Sequence, residues 1–393
     1  MTDHGRHAVR RVGAAVLLAG GGTVLLAAAV AFVLSVAMAR TVVTPPRKRK
    51  EDTPILDVDL RHSTITLGPT ADAILPGNYS FWFDSGAGLA TLGEIVRRTH
   101  DSVTRRILRV ERADLRRART GRFNGWIYLS PGELGYEFED VVIDTPVGPA
   151  PAWLIPSATG SDRWAIHVHG RAVARAETLR GVPVFRDAGY NSLVVSYRND
   201  GEAPASPDGK YSLGDTEWLD VQAALAYAID RGATSVVLVG WSMGGATALQ
   251  LATRSSLARV IRGIVLESPV VDWSIALDFQ AKLSRLPKPI GAAAKVIMGR
   301  AWGRVLTGQH EPIDLERLDL VRGAAALTTP ILILHSDDDG YVPSTASHAL
   351  AEARPDIVTM ETFAGARHTK LWNYDPERWN AAIASWLERL NAE

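Results

Sequence analysis

The stretch Val236-Val-Leu-Val-Gly-Trp-Ser-Met-Gly-Gly-Ala246 decides how the rest of the chain is read. Val236 to Val239 are four apolar residues in a row, the pattern of a strand buried on both faces. Gly240, Trp241, Ser242, Met243 and Gly244 then spell G-x-S-x-G, and Ala246 to Ala252 continue as a helix start rich in Ala, Leu and Gln. Strand, G-x-S-x-G, helix is the context that a nucleophile elbow requires. In such a turn the central residue takes a strained backbone conformation, and the flanking glycines keep side chains out of the way. The Ser242 hydroxyl then stands at the end of a sheet with a helix N-terminus pointing at it. A bare G-x-S-x-G arises by chance in a chain with 34 Gly, so the surroundings must carry the reading.

Outward from the elbow, strands alternate with helices. Upstream, Val141–Ile143 and Ala152–Ile155 read as a hairpin across Thr145–Pro149. Trp164–Val168 and Ser192–Val195 follow as strands, with a helix near Glu177–Ala188 between them and another over Thr216–Arg231, for which Asp215 is the expected N-cap. Downstream come a helix to Ser255, a strand over Ile261–Leu266, strands over Ile331–Leu334 and Ile357–Met360, and a last helix over Arg378–Leu390. This alternation predicts an α/β fold, a mostly parallel sheet covered on both faces. In such sheets catalytic groups collect at the carboxyl ends of strands.

A serine nucleophile needs a base, a group that orients the base, and donors for an oxyanion. The acid is expected at Asp339, in Asp339-Gly-Tyr-Val-Pro343 after the penultimate strand. Asp337 and Asp338 are rivals read as turn and cap residues, and Glu267 and Asp272 form a second possible acid site. Of ten His, His368 follows the last strand and precedes the final helix, the place for the base, while His335 and His348 lie near the acid loop but off that position. The oxyanion donors are expected to be the backbone N–H groups of Met243 and Arg171, in a loop shaped by His169 and Gly170. His167 and His169, two apart on a strand with no third ligand nearby, make a weak metal pair, and no metal is assigned.

From about Tyr136 to the end the chain resembles the α/β-hydrolase superfamily, in its esterase, monoacylglycerol-lipase-like and prolyl-oligopeptidase-like serine hydrolase branch. The matching pieces are His169-Gly170, Ser196-Tyr-Arg-Asn199, Gly240-Trp-Ser-Met-Gly-Gly245, Asp339-Gly-Tyr-Val-Pro343 and His368. The resemblance implies an eight-stranded sheet whose second strand is antiparallel, and an acyl-enzyme route through Ser242, His368 and Asp339 without cofactor. A Ser in place of Asp at the elbow argues against the dehalogenase and epoxide-hydrolase branches. The expected activity is cleavage of carboxylic esters, lipid-like ones among them. A peptidase or amidase of the same fold, or a binding protein without turnover, are the alternatives. Two departures stand out: the region before Tyr136 matches no general pattern, and Arg171 puts a charge beside the oxyanion hole.

The 393 residues carry 43 basic and 43 acidic groups and no Cys. Zero formal charge gives no global field toward nucleic acid. The missing Cys excludes disulfides, zinc-thiolate sites and a cysteine nucleophile. After a tail over residues 1–11, Val12 to Ala39 contain no charge, enough for a transmembrane helix over 12–39. Ala37-Met38-Ala39 fits a signal-peptidase pattern, but the apolar stretch is longer than a signal peptide uses. The expectation is a single-pass cell-membrane anchor. Three basic residues before the span and five after it lean toward a cytoplasmic catalytic domain and leave the side open. Residues 40–52 read as a basic linker. Residues 53–135 read as a small β-rich lead-in region, with β-prone runs at Ser63–Leu67, Tyr79–Phe83 and Gly125–Leu129 and ten Arg between Arg97 and Arg122. Residues 136–393 form the catalytic domain, with a possible lid over 273–319.

Overall fold

The computed structural model describes residues 25–46 and 48–392. The expected tail and the first part of the expected span therefore lie outside the described residues, as does Arg47. From Leu25 the apolar stretch is helical as α1, Leu25–Val43, with mean hydropathy 2.1. It runs four residues past the expected end at Ala39, because Ala39 and Val43 are fully buried in the main core and Arg171 holds its last carbonyls.

The lead-in residues close into an antiparallel six-stranded barrel. Its strands are β1 (Thr53–Asp59), β2 (Thr64–Leu67), β3 (Tyr79–Phe83), β4 (Gly88–Arg98), β5 (Val103–Arg112) and β6 (Thr120–Asn124), in the order β1-β2-β5-β4-β3-β6. Closure removes every sheet edge, and Tyr79, Phe81, Phe83, Leu92 and Phe123 fill the interior. The arginine-dense run is mostly β5 and the end of β4, and strand alternation together with a register shift opposite Thr91 and Leu92 sorts its charges. Arg106 and Arg109 face solvent in ion pairs with Glu94 and Glu111. Arg105 points inward, fully buried, and donates to the carbonyls of Gly93, Ala73, Leu75 and Gly77. Gly125–Leu129, expected as a strand, is irregular: Trp126 and Tyr128 pack onto the Trp153–Leu179 cluster instead of pairing in a ladder.

The second sheet has eight strands: β7 (Glu139–Thr145), β8 (Gly148–Ile155), β9 (Arg163–Val168), β10 (Asn191–Val195), β11 (Ser235–Trp241), β12 (Ile261–Glu267), β13 (Ile331–Ser336) and β14 (Val358–Phe363). Their order is β14-β13-β12-β11-β9-β10-β8-β7, and β8, the second strand, pairs antiparallel with both neighbours. This is the α/β-hydrolase fold. Its helices are α2 (Val182–Asp187), α3 (Trp218–Asp230), α4 (Met243–Arg254), α5 (Trp273–Leu283), α6 (Lys288–Gly299), α7 (Arg304–Thr307), α8 (Thr345–Ala353), α9 (Leu371–Tyr374) and α10 (Pro376–Ala392). The period of two divides the strands between two cores. Ile166, Leu238, Ile264 and Ile333 pack with α3 and α4, and Val237, Val239, Leu332 and Leu334 pack with α2 and α10. Asp215 does not cap α3. The helix starts after Glu217, and Asp215 instead pairs with Arg254 and Arg317 at 2.8 and 2.7 Å.

Candidate active site

β11 runs straight into α4, and Ser242 is the hinge between them. Its φ of 52° and ψ of −116° lie where L residues rarely sit, at a cost of about 1–3 kcal/mol. Four backbone bonds hold it there: Ser242 N–H to Glu267 O at 3.0 Å, and the N–H groups of Gly245, Val270 and Ala246 to Ser242 O at 3.0, 3.1 and 3.4 Å. The glycines are needed for close approach. A Cβ on Gly244 would stand 2.2 Å from the Val168 carbonyl oxygen, and one on Gly240 would meet Gly244 O and Gly245 Cα at 2.7 Å. Trp241, fully buried, anchors the elbow from below by donating its indole N–H to Glu267 Oε2 at 3.0 Å.

At the neighbouring strand ends the structure brings the expected acid and base to this serine. His368 Nε2 lies 2.9 Å from Ser242 Oγ, and His368 Nδ1 lies 2.8 Å from Asp339 Oδ2. The other Asp339 oxygen accepts from the N–H groups of Tyr341 and Val342 at 2.9 and 2.7 Å. Burial alone would raise the Asp339 carboxyl, but the His368 charge and hydrogen bonds from His335 and His368 hold it well below the usual carboxylate range. The rival acids do other work. Asp337 accepts from Ser344 and His348, Asp338 accepts from Gly365 N–H, and Asp272 caps α5 through Ser274 N–H. Glu267 takes the indole N–H groups of Trp241 and Trp379. Burial pushes its carboxyl up, opposed by the nearby Arg180.

The expected oxyanion loop leaves the end of β9. Gly170 lies against the elbow, so a Cβ there would come 3.3 Å from Ser242 Cβ. Its N–H donates to Glu177 Oε2 at 3.0 Å, and its carbonyl accepts from His169 Nδ1 at 2.8 Å and Tyr197 Oη at 3.0 Å. The His169 ring stacks on Tyr197 with 4.2 Å between centroids, and its Nε2 reaches Asp200 at 3.2 Å. His167 is sealed in the sheet beside Ser192, where burial pushes its imidazole down to about 3. Met243 opens α4 directly behind Ser242. Arg171 turns its guanidinium away from the serine. It donates to the carbonyls of Thr41, Val42 and Thr44 at the end of α1 and lies over the Tyr211 ring. A cation at a helix C-terminus is favourable by up to about 2 kcal/mol when partly buried.

Ser242, His368 and Asp339 open into a cleft of about 560 Å³. One wall is the sheet domain, with Gly170, Glu177 and Tyr341. The other consists of linker residues Pro46, Lys48, Arg49, Lys50 and Asp52 together with Asp72, Arg122 and Phe123 of the barrel. Among the described residues, none from 273–319 lines it; that segment packs α5 and α6 together and buries Ala294, Ile297 and Met298 in the main core. The barrel is held in place after His368, where Asn373 donates to the carbonyls of Asn78 and Gly125, and Lys370 pairs with Asp72 at 2.9 Å. Sequence reading missed Glu177, His335, Tyr197 and the barrel wall. Tyr197 and the barrel wall act across long sequence separations, whereas Glu177 and His335 act on Gly170 and Asp339 only seven and four residues away, at spacings that no motif marks. Among the described residues no cluster of three or more His, Asp or Glu is arranged for a metal.

Residues 165–382 match the alpha/beta hydrolase family, and the chain belongs to that family. Residues 54–124, the barrel, match a family described as a domain of unknown function. The uncharacterized protein YqkD of Bacillus subtilis is 21% identical over 254 residues, covering 61% of this chain and 80% of that protein. A pimeloyl-(acyl-carrier protein) methyl ester esterase of Xanthomonas campestris pv. campestris is 28% identical over 190 residues, 41% of this chain and 74% of that one. The solved esterase Pf2001 of Pyrococcus furiosus shares the fold at a TM-score of 0.52 and 20% identity, over 66% of this chain and 94% of that one.

Proposed function

We propose that this chain is a membrane-anchored serine hydrolase that cleaves carboxylic esters through an acyl-enzyme on Ser242. The observation that carries the reading is the unbroken relay from Ser242 Oγ through His368 to Asp339, with both Asp339 oxygens occupied. In the first half-reaction Ser242 Oγ attacks the ester carbonyl carbon while His368 Nε2 takes the hydroxyl proton. The tetrahedral oxyanion falls to the N–H groups of Met243 and Arg171. As the C–O bond to the alcohol breaks, His368 returns that proton to the leaving oxygen. Water then repeats the steps on the acyl-enzyme and releases the acid and free Ser242. Asp339 stays ionised and stabilises the imidazolium. The esterase relative named above supports esters as the substrate class.

Ser242→Ala should lower turnover of p-nitrophenyl butyrate by at least about 10⁴-fold and abolish labelling by a fluorophosphonate probe. Full labelling of that variant sinks the assignment. The anchor reading rests on α1, whose Leu25, Leu26, Phe32 and Val33 are exposed while Ala39 and Val43 near its C-terminus are buried. Exposed Trp302 and Val305 come just before Leu306, whose carbonyl accepts from Arg40 near the end of α1. These apolar side chains stand where the helix would leave a bilayer, and they favour lipid-like esters reached from the membrane. The full chain should stay with membranes through a carbonate wash; release into the wash overturns the anchor.

A further inference from the structure

Among the described residues, seven Lys and Arg side chains line the cleft; Lys48 and Lys50 are exposed to solvent, and three others are engaged. Arg171 holds the end of α1, Arg367 donates to the Asp338 carbonyl, and Lys370 pairs with Asp72. Arg49 and Arg122 are different. Both line the same cleft as Ser242. Among the described residues neither has an ion-pair partner, and Arg49 Nη2 is a buried donor with no acceptor. Asp52, whose charge reaches Arg122, accepts from Thr53 Oγ1, and the other acids nearby are likewise hydrogen-bonded. Glu177, whose charge reaches Arg49, accepts from Gly170 N–H. Glu51, whose charge reaches Arg122, accepts from Ser85 N–H and Thr120 Oγ1. Arg122 lies over the Trp82 ring with its Cζ 5.4 Å from the centroid, which fixes its plane. Burial holds Arg49 below the usual arginine range, and burial together with the Arg49 charge pushes Arg122 down to about 10.

Two desolvated guanidinium groups close enough to repel each other are costly unless something negative comes between them. A guanidinium fork fits the two oxygens of a phosphate or carboxylate. We infer that the substrate is an ester carrying an anionic group, a phosphate or carboxylate, and that this group seats between Arg49 and Arg122 while the acyl carbonyl lies at Ser242. Resting on the serine-hydrolase reading above, the inference adds a substrate class and two binding residues. One of these comes from the linker after α1 and the other from the barrel, which gives the lead-in region a part in recognition.

The test compares ester pairs that differ only in charge. With the purified full chain in detergent, kcat/KM should be higher for a 1-acylglycerol 3-phosphate than for the 1-acylglycerol of the same chain. The double variant R49Q/R122Q should lower that ratio by on the order of 100-fold, two charge-assisted contacts' worth. A ratio unchanged by the double variant overturns the proposal, and misfolding cannot imitate the effect because it lowers both rates. Butyryl and hexadecanoyl esters separate a water-soluble phosphate ester from a lipid headgroup as the source of the anion. A second readout needs no turnover. The Ser242→Ala chain should bind the ether 1-hexadecylglycerol 3-phosphate at least about 10-fold more tightly than 1-hexadecylglycerol, and R49Q/R122Q should remove the preference. Equal binding of both ethers overturns the anion site even if Ser242 proves to be the nucleophile. Loss of turnover without loss of that preference leaves the anion site standing and counts only against the hydrolase reading.

Discussion

The two walls of the cleft are built on opposite plans. On the sheet side the polar groups at the centre are matched: Ser242 with His368, His368 with Asp339, Asp339 with two backbone N–H groups, Gly170 with Glu177. On the linker and barrel side, Arg49 and Arg122 face the same space without ion-pair partners among the described residues. A matched wall is preorganised, so its dipoles need not rearrange when charge develops at the reacting carbonyl. An unmatched wall keeps its charge for something that arrives. The contrast recurs inside the barrel, where Arg105 is fully buried, more deeply than Arg49 or Arg122, yet donates to four backbone carbonyls. One guanidinium holds a fold together; the other two are left for a ligand.

The contrast can be broken at three points. The largest effect is expected at Asp339→Asn on the matched wall. The amide leaves the volume nearly unchanged but withdraws the acceptor that fixes the His368 tautomer, and ester kcat should fall by about 10³- to 10⁴-fold with little change in melting temperature. A loss below tenfold would mean that another acid orients His368. Next comes Arg105→Met. It leaves several buried carbonyls without donors, and unfolding free energy in urea should drop by about 3 kcal/mol. A drop under about 1 kcal/mol would show that Arg105 is no more structural than Arg49. The smallest effect concerns His167, a buried ring beneath the matched wall with no partner on Nδ1. Its folded pKa of about 3 lies below the usual 6.5. Below pH 6.5 the unfolded chain takes up a proton that the folded chain refuses until about pH 3. Stability therefore rises with pH across that window and falls on acidification by about 1.4 kcal/mol per unit. His167→Gln should remove that slope. Parallel pH profiles of wild type and variant between pH 4 and 6, by urea unfolding, would show instead that His167 titrates normally.

Much of this was legible in the sequence because it is local. Four apolar residues before G-x-S-x-G made β11 and its turn, since a strand buried on both faces has no polar position to alternate. Asp339 and His368 could be singled out because each follows a strand by a few residues, and parallel strands deliver their carboxyl ends to one edge of the sheet. The 53–124 region was harder to read. Its strands were recognised only in pieces, because the alternation that hides Arg105 and exposes Arg106 looks like a plain basic run until a partner strand sets the register.

The sequence by itself determined the doubly covered sheet, the elbow at Ser242 and an apolar helix ahead of both, because periodicity and turn chemistry are properties of neighbours along the chain. Tertiary structure alone decided the rest. Arg171 turns from the serine to the end of α1, Glu267 braces Trp241 and leaves His368 to Asp339, and Arg49 and Arg122 share a cleft with Ser242 although about 120 to 190 residues separate them from it. What a charged side chain does depends on which partners closure of the fold brings within reach, and nothing in its own neighbourhood records that.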